Sequence, residues 1–468
     1  MIQPISLYQL ADVSKGISMG KNIEFSSVAI DTRTLNKGDL YIALKGENFD
    51  GHQFIGEAVH KGCSGYVVNN NDADLINKKL TLTPYIAVDN TLKTLGDCSR
   101  INRENFQGKV IGLTGSSGKT STKNMLECVL TEMGSTCATQ GNFNNEIGVP
   151  LTLLNINKEH KFAVVEMGAR KKGDIGYLAD FVQPDVAILL NAGTAHIDIF
   201  GSQEDIVHTK GEIFSSLKSG GRAVVNLDDP ARQIWMDSLE GKEVLTFSVC
   251  VNTANIYASN IEQKDLSTTF ILNFKGASQE VLLPVPGIHN VANSLAASAA
   301  AIHLGFDLKT IANGLAKLNA SRGRLMTIPC SNQLVVIDDS YNANPSSMRA
   351  AIDVLSLKEG FKVAVLAEMV ELGGLSKKLH MELAKYVAQS NIDKVYLIGP
   401  FADEMSELIG ERAFVALTKN EVFECLIKNE EIFKTNVNKL VTTSVLIKGS
   451  RSTAMDELVD MIVKKAAH

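Results

Sequence analysis

"KVIGLTGSSGKTSTK", residues 109–123, decides how the chain is read. The run 109–114 is apolar and rich in strand formers, and a short Gly-Ser loop comes after it. Beyond the loop, Met125, Leu126, Val129, Leu130 and Met133 recur at the spacing of one helix face. Strand, glycine loop and helix in that order make the frame of a phosphate loop. The backbone amides of Gly115, Ser116, Ser117, Gly118, Lys119 and Thr120 can converge on phosphate oxygens at the helix N-terminus, where the dipole favours anions. Lys119 then neutralises β- and γ-phosphate charge, Thr120 offers its hydroxyl to Mg²⁺, and Ser121 completes the nucleotide-contacting run. The common G-x-x-x-x-G-K-[ST] spacing needs glycine where Leu113 stands, so this loop is tighter than that of ordinary GTPases and motor ATPases.

Outward from the loop, "FAVVE" (162–166) and "VAILL" (186–190) are apolar runs of the length of strands buried on both faces. Polar residues close them: Glu166 and Asn191. Helical stretches lie between, which predicts a doubly wound parallel sheet with ligands at the carboxyl ends of its strands. Residues 244–285 alternate without an intervening helix and predict a small antiparallel insert. Before the loop, "SSVAI", "DLYIAL" and "GYVV" with the amphipathic "HQFIGEAVHKG" predict a small α/β module. After it, "LVVID", "KVAVLA", "KVYLIG" and "SVLIKG" predict a second Rossmann-like unit. The expectation is an α/β protein of three domains: 1–88, 89–319 and 320–468.

The length of 468 residues agrees with three domains at roughly 150 residues each. With 45% hydrophobic and 21% charged residues, long disorder is excluded. The formal net charge is −6, which argues against a nucleic-acid or membrane-surface binder. Seven widely spaced cysteines include no C-x-x-C pair, so small buried thiols are expected rather than disulfides or a zinc site. The N-terminus lacks the basic segment of a signal peptide, and no run approaches 18 apolar residues. A cytoplasmic monomer without membrane insertion is expected.

The loop resembles that of the Mur ligase superfamily, whose members join amino acids or peptides to carboxylates at the expense of ATP. Further blocks extend the resemblance in order along the chain: "IDTRTLNKGDLYIALKGENFDGHQFI" (30–55), "TQGNFNNEIGVPLTLL" (139–154), "VVEMGA" (164–169), "NAGTAHIDIFGS" (191–202), "HTKGEIF" (208–214), "PGIHNVANSLAA" (286–297), "IDDSYNANPSSM" (337–348) and "IKGSR" (447–451). "SYNANP" resembles the branch that adds D-alanyl-D-alanine to UDP-muramoyl-tripeptide, and no "DNPR" of diaminopimelate-adding members occurs. The resemblance implies ATP and Mg²⁺, an acyl-phosphate intermediate, and closure of three domains around the substrates.

It also implies roles for particular residues. Glu166, His196 and a carbamylated Lys210 become Mg²⁺ ligands beside Thr120, and join Lys119 as the catalytic set. Asn290 and Asn293 read adenine, Asp339 reaches the ribose, and Arg324 and Lys448 supply cations on the phosphate side. Thr32, Arg33 and Lys45 contact the uridine diphosphate; Asn142 and Asn145 hold the muramoyl part; Tyr341, Asn342 and Asn344 meet the peptide or dipeptide. Read by residue type alone, Lys210 is a solvated helix lysine, His196 a structural histidine, and Thr32, Arg33 and Lys45 an ordinary charged turn. "LAEMVELG" carries Ala367 and Glu368 where the family commonly has Gly-Asp, and Arg322 stands where a hinge proline is usual. Other readings are another amide ligase of the superfamily (adding the third peptide residue or acting on folate), a P-loop phosphotransferase, and a catalytically silent nucleotide-binding scaffold.

Overall fold

The computed structural model describes residues 1–72, 82–195, 197–331, 333–428 and 442–466. In the N-terminal part, β1 (Ile5–Ser6) pairs antiparallel with β3 (Glu24–Phe25). Strands β2 (Ile17–Met19), β4 (Val28–Ala29), β5 (Leu40–Ile42), β6 (Gly65–Asn69) and β7 (Tyr85–Val88) form a sheet of order β2-β7-β6-β5-β4, parallel except at β2. The next helix, Thr91–Glu104, is N-capped by Asn90. It carries fully buried Arg103, whose guanidinium donates to the carbonyls of Val182 and Gln183 and meets Asp185 at 3.2 Å. That helix therefore fastens the first sheet to the central domain.

The large sheet comprises β8 (Lys109–Thr114), β9 (Thr136–Ala138), β10 (Phe162–Glu166), β11 (Val186–Leu189), β12 (Arg222–Asn226), β13 (Glu243–Ser248), β14 (Ile256–Gln263), β15 (Thr268–Phe274) and β16 (Ala277–Leu283). Its order is β16-β15-β14-β13-β12-β11-β8-β10-β9. Pairing is parallel from β9 through β14 and antiparallel for β15 and β16. The chain leaves β8 to one side and returns to its other side at β11, so the crevice of this switch point opens at the end of β8, where the glycine loop begins.

Two expectations are corrected. Of the antiparallel insert expected over residues 244–285, the antiparallel pairing of β14, β15 and β16 is present, but the stretch does not stand apart: β13 and β14 continue the parallel sheet and β15 and β16 extend its edge. The physical reason is a shared apolar cover: Ile256, Phe270, Leu272, Val281 and Leu283 pack into one core with Leu126 and with Leu295 and Ile311 of the two helices that come after the sheet. The helix after the phosphate loop spans Lys119–Thr131, so Met133 falls outside it and is 56% exposed. Of the cysteines, Cys63, Cys98 and Cys137 are buried as expected, whereas Cys250 and Cys425 are exposed; all seven are free thiols.

The last sheet has β17 (Met326–Pro329), β18 (Leu334–Asp339), β19 (Phe361–Ala367), β20 (Lys394–Ile398), β21 (Ala413–Val415) and β22 (Thr443–Lys448), ordered β17-β18-β22-β19-β20-β21 with only β17 antiparallel. Among the described residues, no helix is long and apolar enough to cross a membrane. If the edge strands belong to the main core, Phe270→Ala destabilises the protein by about 3–5 kcal/mol, as a buried aromatic truncation does. Denaturant unfolding monitored by circular dichroism checks this; a loss below about 1 kcal/mol would show the edge to be an independent appendage.

Candidate active site

A cleft of about 1510 Å³ opens at the end of β8, lined by residues of the loop 115–121, by the ends of β10 and β11, and by residues of the last domain. Gly118 turns the chain at φ +81°, and its approach to Asn293 is so close that a Cβ would sit 2.3 Å from the Asn293 amide oxygen. Glycine is required there on both counts. Asn191, which ends the β11 segment, clamps the loop: its carbonyl accepts from the Ser116 amide at 3.1 Å, and its side chain accepts from the Ser117 amide at 2.9 Å and donates to the Ser117 carbonyl at 3.2 Å. The amides of Ser116 and Ser117 are thus engaged, contrary to the expectation that the whole run faces a phosphate. An anion is left with the unpaired first-turn amides of the helix that begins at Lys119.

Glu166 sits at the centre and is 1% exposed. One carboxylate oxygen accepts from the Thr120 hydroxyl at 2.8 Å, the other from the Asn144 amide at 2.7 Å. Its own backbone amide donates to Thr139, whose carbonyl accepts from buried Lys123. No ion pair to Glu166 forms among the described residues, although Lys119, Lys123 and Arg324 surround it. Lys119 folds back to donate to the Gly115 carbonyl at 2.8 Å. Burial pushes its pKa down, Glu166 pulls it up and Arg324 adds to the depression.

The last domain reaches this cluster directly. Arg324 donates to the Thr120 hydroxyl at 2.9 Å and lies 4.2 Å over the Tyr341 ring. Asn344 caps the helix Pro345–Ser356 and donates to the Ser117 hydroxyl at 3.0 Å. Asp339 and Lys448 stand opposite each other in register on β18 and β22, and pair at 2.6 Å. Lys448 also donates to the Asn342 carbonyl. The expected ribose carboxylate and phosphate-side cation therefore line the cleft but answer each other; burial raises the Asp339 pKa against the pull of Lys448.

Lys210 is not the solvated lysine that its residue type suggests. It is 3% exposed and lines the cleft, and its side chain makes no hydrogen bond or ion pair with the described residues. Burial, reinforced by the charge of Lys119, lowers its pKa to about 7. Asn290 and Asn293 are both buried at the cleft; Asn290 donates to the Pro286 carbonyl, and the two side chains lie 3.4 Å apart. Neighbouring His289 is held near pKa 4 by burial and by Lys448.

Asn142 and Asn145 line the cleft, but the Asn145 side chain accepts from the Gly148 amide and so helps start the helix Gly148–Leu154. Thr32, Arg33 and Lys45 do not line it. Arg33 is paired with its neighbour Asp31 at 2.6 Å, and Lys45 lies 3.6 Å from Asp50. His196 lies outside the described residues. Glu368 lies near Gly399 rather than in the cleft, where Val370 and Glu371 stand instead; Arg322 pairs with Asp460 at the surface.

Sequence reasoning missed Asn144 and Lys123 and gave Asn191 no task. Asn144 is one of three asparagines in "GNFNNE", and spacing alone does not say which one faces Glu166. Asn191 had a signal, since it ends an apolar strand beside the loop strand.

This geometry sets two expected outcomes. Gly118→Ala, strained by φ and by contact with Asn293, weakens ATP binding by at least about tenfold, read by calorimetric titration. Lys210 is half neutral at pH 7 and becomes fully neutral above it, whereas ordinary lysines stay charged to about pH 10. Carbamoylation by cyanate, mapped by mass spectrometry across pH, should therefore rise at Lys210 with a midpoint near 7. A midpoint near 10 would contradict the effect of burial.

Three family models match along the chain: the Mur ligase family catalytic domain over residues 24–101, the Mur ligase middle domain over 113–301, and the Mur ligase glutamate ligase domain over 323–451. The chain is 36% identical, over 97% of both sequences, to the UDP-N-acetylmuramoyl-tripeptide–D-alanyl-D-alanine ligase of Escherichia coli. Its structure is similar to that of the UDP-N-acetylmuramoylalanyl-D-glutamyl-2,6-diaminopimelate–D-alanyl-D-alanyl ligase of Acinetobacter baumannii, with a TM-score of 0.86 at 35% identity and 99% of each chain covered. It is similar also to the MurF ligase of Thermotoga maritima in complex with ADP, with a TM-score of 0.81 at 29% identity and coverage of 94% and 98%. With the tight phosphate loop, the buried carboxylate that meets it and matches running through all three domains, the chain belongs to the Mur ligase family.

Proposed function

We propose that this chain is an ATP-dependent ligase that joins D-alanyl-D-alanine to UDP-N-acetylmuramoyl-tripeptide, the step that completes the UDP-muramoyl-pentapeptide of peptidoglycan synthesis. The observation that carries the chemistry is the contact of Glu166 with Thr120 of the phosphate loop, joined by Arg324 from the last domain. The full-length similarity to ligases of that substrate carries the specificity.

Amide formation from a carboxylate needs a leaving group on the acyl carbon. Phosphoryl transfer from ATP to the tripeptide carboxylate supplies one; the dipeptide amine then attacks the acyl carbon and phosphate departs. Carboxylate and γ-phosphate must be brought together, against a repulsion of about 4 kcal/mol per pair of unit charges at 4 Å and an effective dielectric near 20. In this reading Lys119, once it leaves the Gly115 carbonyl, and Arg324 hold the phosphate oxygens, and the first-turn amides of the loop helix orient them. Asn344 brings the end of its helix against Ser117, which helps keep water from the activated carboxyl. Asn290 and Asn293 meet the base, Tyr341 and Asn342 face the peptide, and Asp339 with Lys448 forms the fixed pair at the nucleotide side.

Magnesium fits the donors present. Glu166 and Thr120 offer hard oxygens 2.8 Å apart beside the loop, and the buried carboxylate has no ion-pair partner among the described residues. Bound there with ATP, the ion supplies charge neutralisation to the phosphates. Burial lowers the Lys210 pKa to about 7, so that a neutral amine is available to add CO₂ with release of a proton; the resulting carbamate would offer oxygen ligands, and His196 is proposed with it at a second ion. Among the described residues no group of three His, Cys, Asp or Glu could hold a metal without such help.

Phosphate release measured with magnesium, ATP and UDP-muramoyl-tripeptide should depend strictly on D-alanyl-D-alanine and yield the pentapeptide by mass spectrometry. Release triggered only by a diamino acid would assign a neighbouring ligase, and a stable phosphorylated product would assign a phosphotransferase. Lys119→Ala and Glu166→Gln should each lower kcat by about 10²–10³-fold, the size of a lost electrostatic contact to the transferring group. Wild-type kinetics in both variants would contradict the roles given to them.

A further inference from the structure

Four residues beyond Glu166 the chain runs through Arg170, Lys171 and Lys172, all exposed and all lining the same cleft. Their backbone is pinned. The Asp174 carboxylate accepts from the amides of Arg170 at 2.9 Å and Lys171 at 3.0 Å. Glu212 accepts from the amides of Gly173 at 3.0 Å and Gly176 at 2.9 Å. Lys172 is answered by Asp205 at 2.7 Å. The side chains of Arg170 and Lys171 make no ion pair among the described residues. Two cations on a fixed backbone thus border the cleft without a counter-ion, and a chain of four residues spans at most roughly 14 Å from Glu166.

The ligase reading, on which this inference rests, says what anion comes there. The carboxylate to be activated belongs to the third residue of the tripeptide, and it must lie by Glu166 and the loop. The side chain of that residue branches from the adjacent carbon, so its far end falls within the reach of the loop. The uridine diphosphate is a less suitable occupant, because a sugar and the whole peptide separate it from the reacting carboxyl. We propose that Arg170 and Lys171 form a specificity subsite for a carboxylate on the side chain of the third residue, favouring an amino-dicarboxylate such as diaminopimelate over lysine. Lysine brings only an ammonium to the same place, where two cations repel it.

The test compares kcat/KM for UDP-muramoyl-tripeptides ending in diaminopimelate or in lysine, with D-alanyl-D-alanine saturating. Three enzymes are used: wild type, Arg170→Gln/Lys171→Gln and Arg170→Glu/Lys171→Glu. Wild type should prefer the diaminopimelate substrate by about tenfold or more. The neutral variant should bring the ratio close to one, and the reversed variant should turn the preference toward lysine; its gain on the lysine substrate shows that it is folded. A ratio that stays the same in all three enzymes overturns the proposal. So does an equal loss on both substrates, which would place the loop on a part that they share. If wild type releases no phosphate in response to the dipeptide with either tripeptide, the ligase reading itself falls and this inference falls with it.

Discussion

A carboxylate removed from water has to be answered by charge or by hydrogen bonds, and Glu166 is the group on which this structure imposes that demand. Two donors, Thr120 and Asn144, satisfy its oxygens. Three cations stand around it without closing an ion pair: Lys119 folded on the loop, Lys123 on Thr139, and Arg324 on the Thr120 hydroxyl. The result is a buried carboxylate whose neighbouring charges are close but not neutralised pairwise. Such an arrangement can receive phosphates and a metal ion without first breaking a salt bridge.

The parallel sheet is what makes that placement possible. With β8 between β10 and β11, the glycine loop, Glu166 and Asn191 leave neighbouring strands at the same end. The last domain closes the other side mostly through side chains, not through a continuous sheet. Arg324 and Asn344 touch the loop, Lys358 is buried against Asp265 of the β14–β15 turn at 2.9 Å, and Ile197 packs against cores of both the central and the last domain. Among the described residues these contacts are polar for the most part, as is common at interfaces between domains of one chain.

Much of this could be read along the chain because local patterns coincide with tertiary demands. "KVIGLT", "FAVVE" and "VAILL" are continuous apolar runs since both faces of their sheet are covered, and all three became strands. Residues 244–285 misled because alternation describes a half-exposed strand without saying which sheet it joins; only the helices packed on Phe270 and Leu283 decide that. At the site, the loop and Glu166 were legible from position. The depth of Lys210, the Asn191 clamp and the choice of Asn144 were not, since each depends on what the third dimension brings alongside. The pairing of Asp339 with Lys448 joins residues over a hundred positions apart and depends on the β18–β22 register alone.

Phosphoryl transfer to a carboxylate held beside Glu166 and the loop is the central claim. UDP-muramoyl-tripeptide carrying heavy oxygen in its terminal carboxyl tests it most directly, with the released phosphate analysed by mass spectrometry after turnover with ATP and D-alanyl-D-alanine. One heavy oxygen per phosphate is the predicted result, because the carboxyl oxygen leaves bonded to phosphorus. Phosphate free of the label, with amide still formed, would contradict the mechanism.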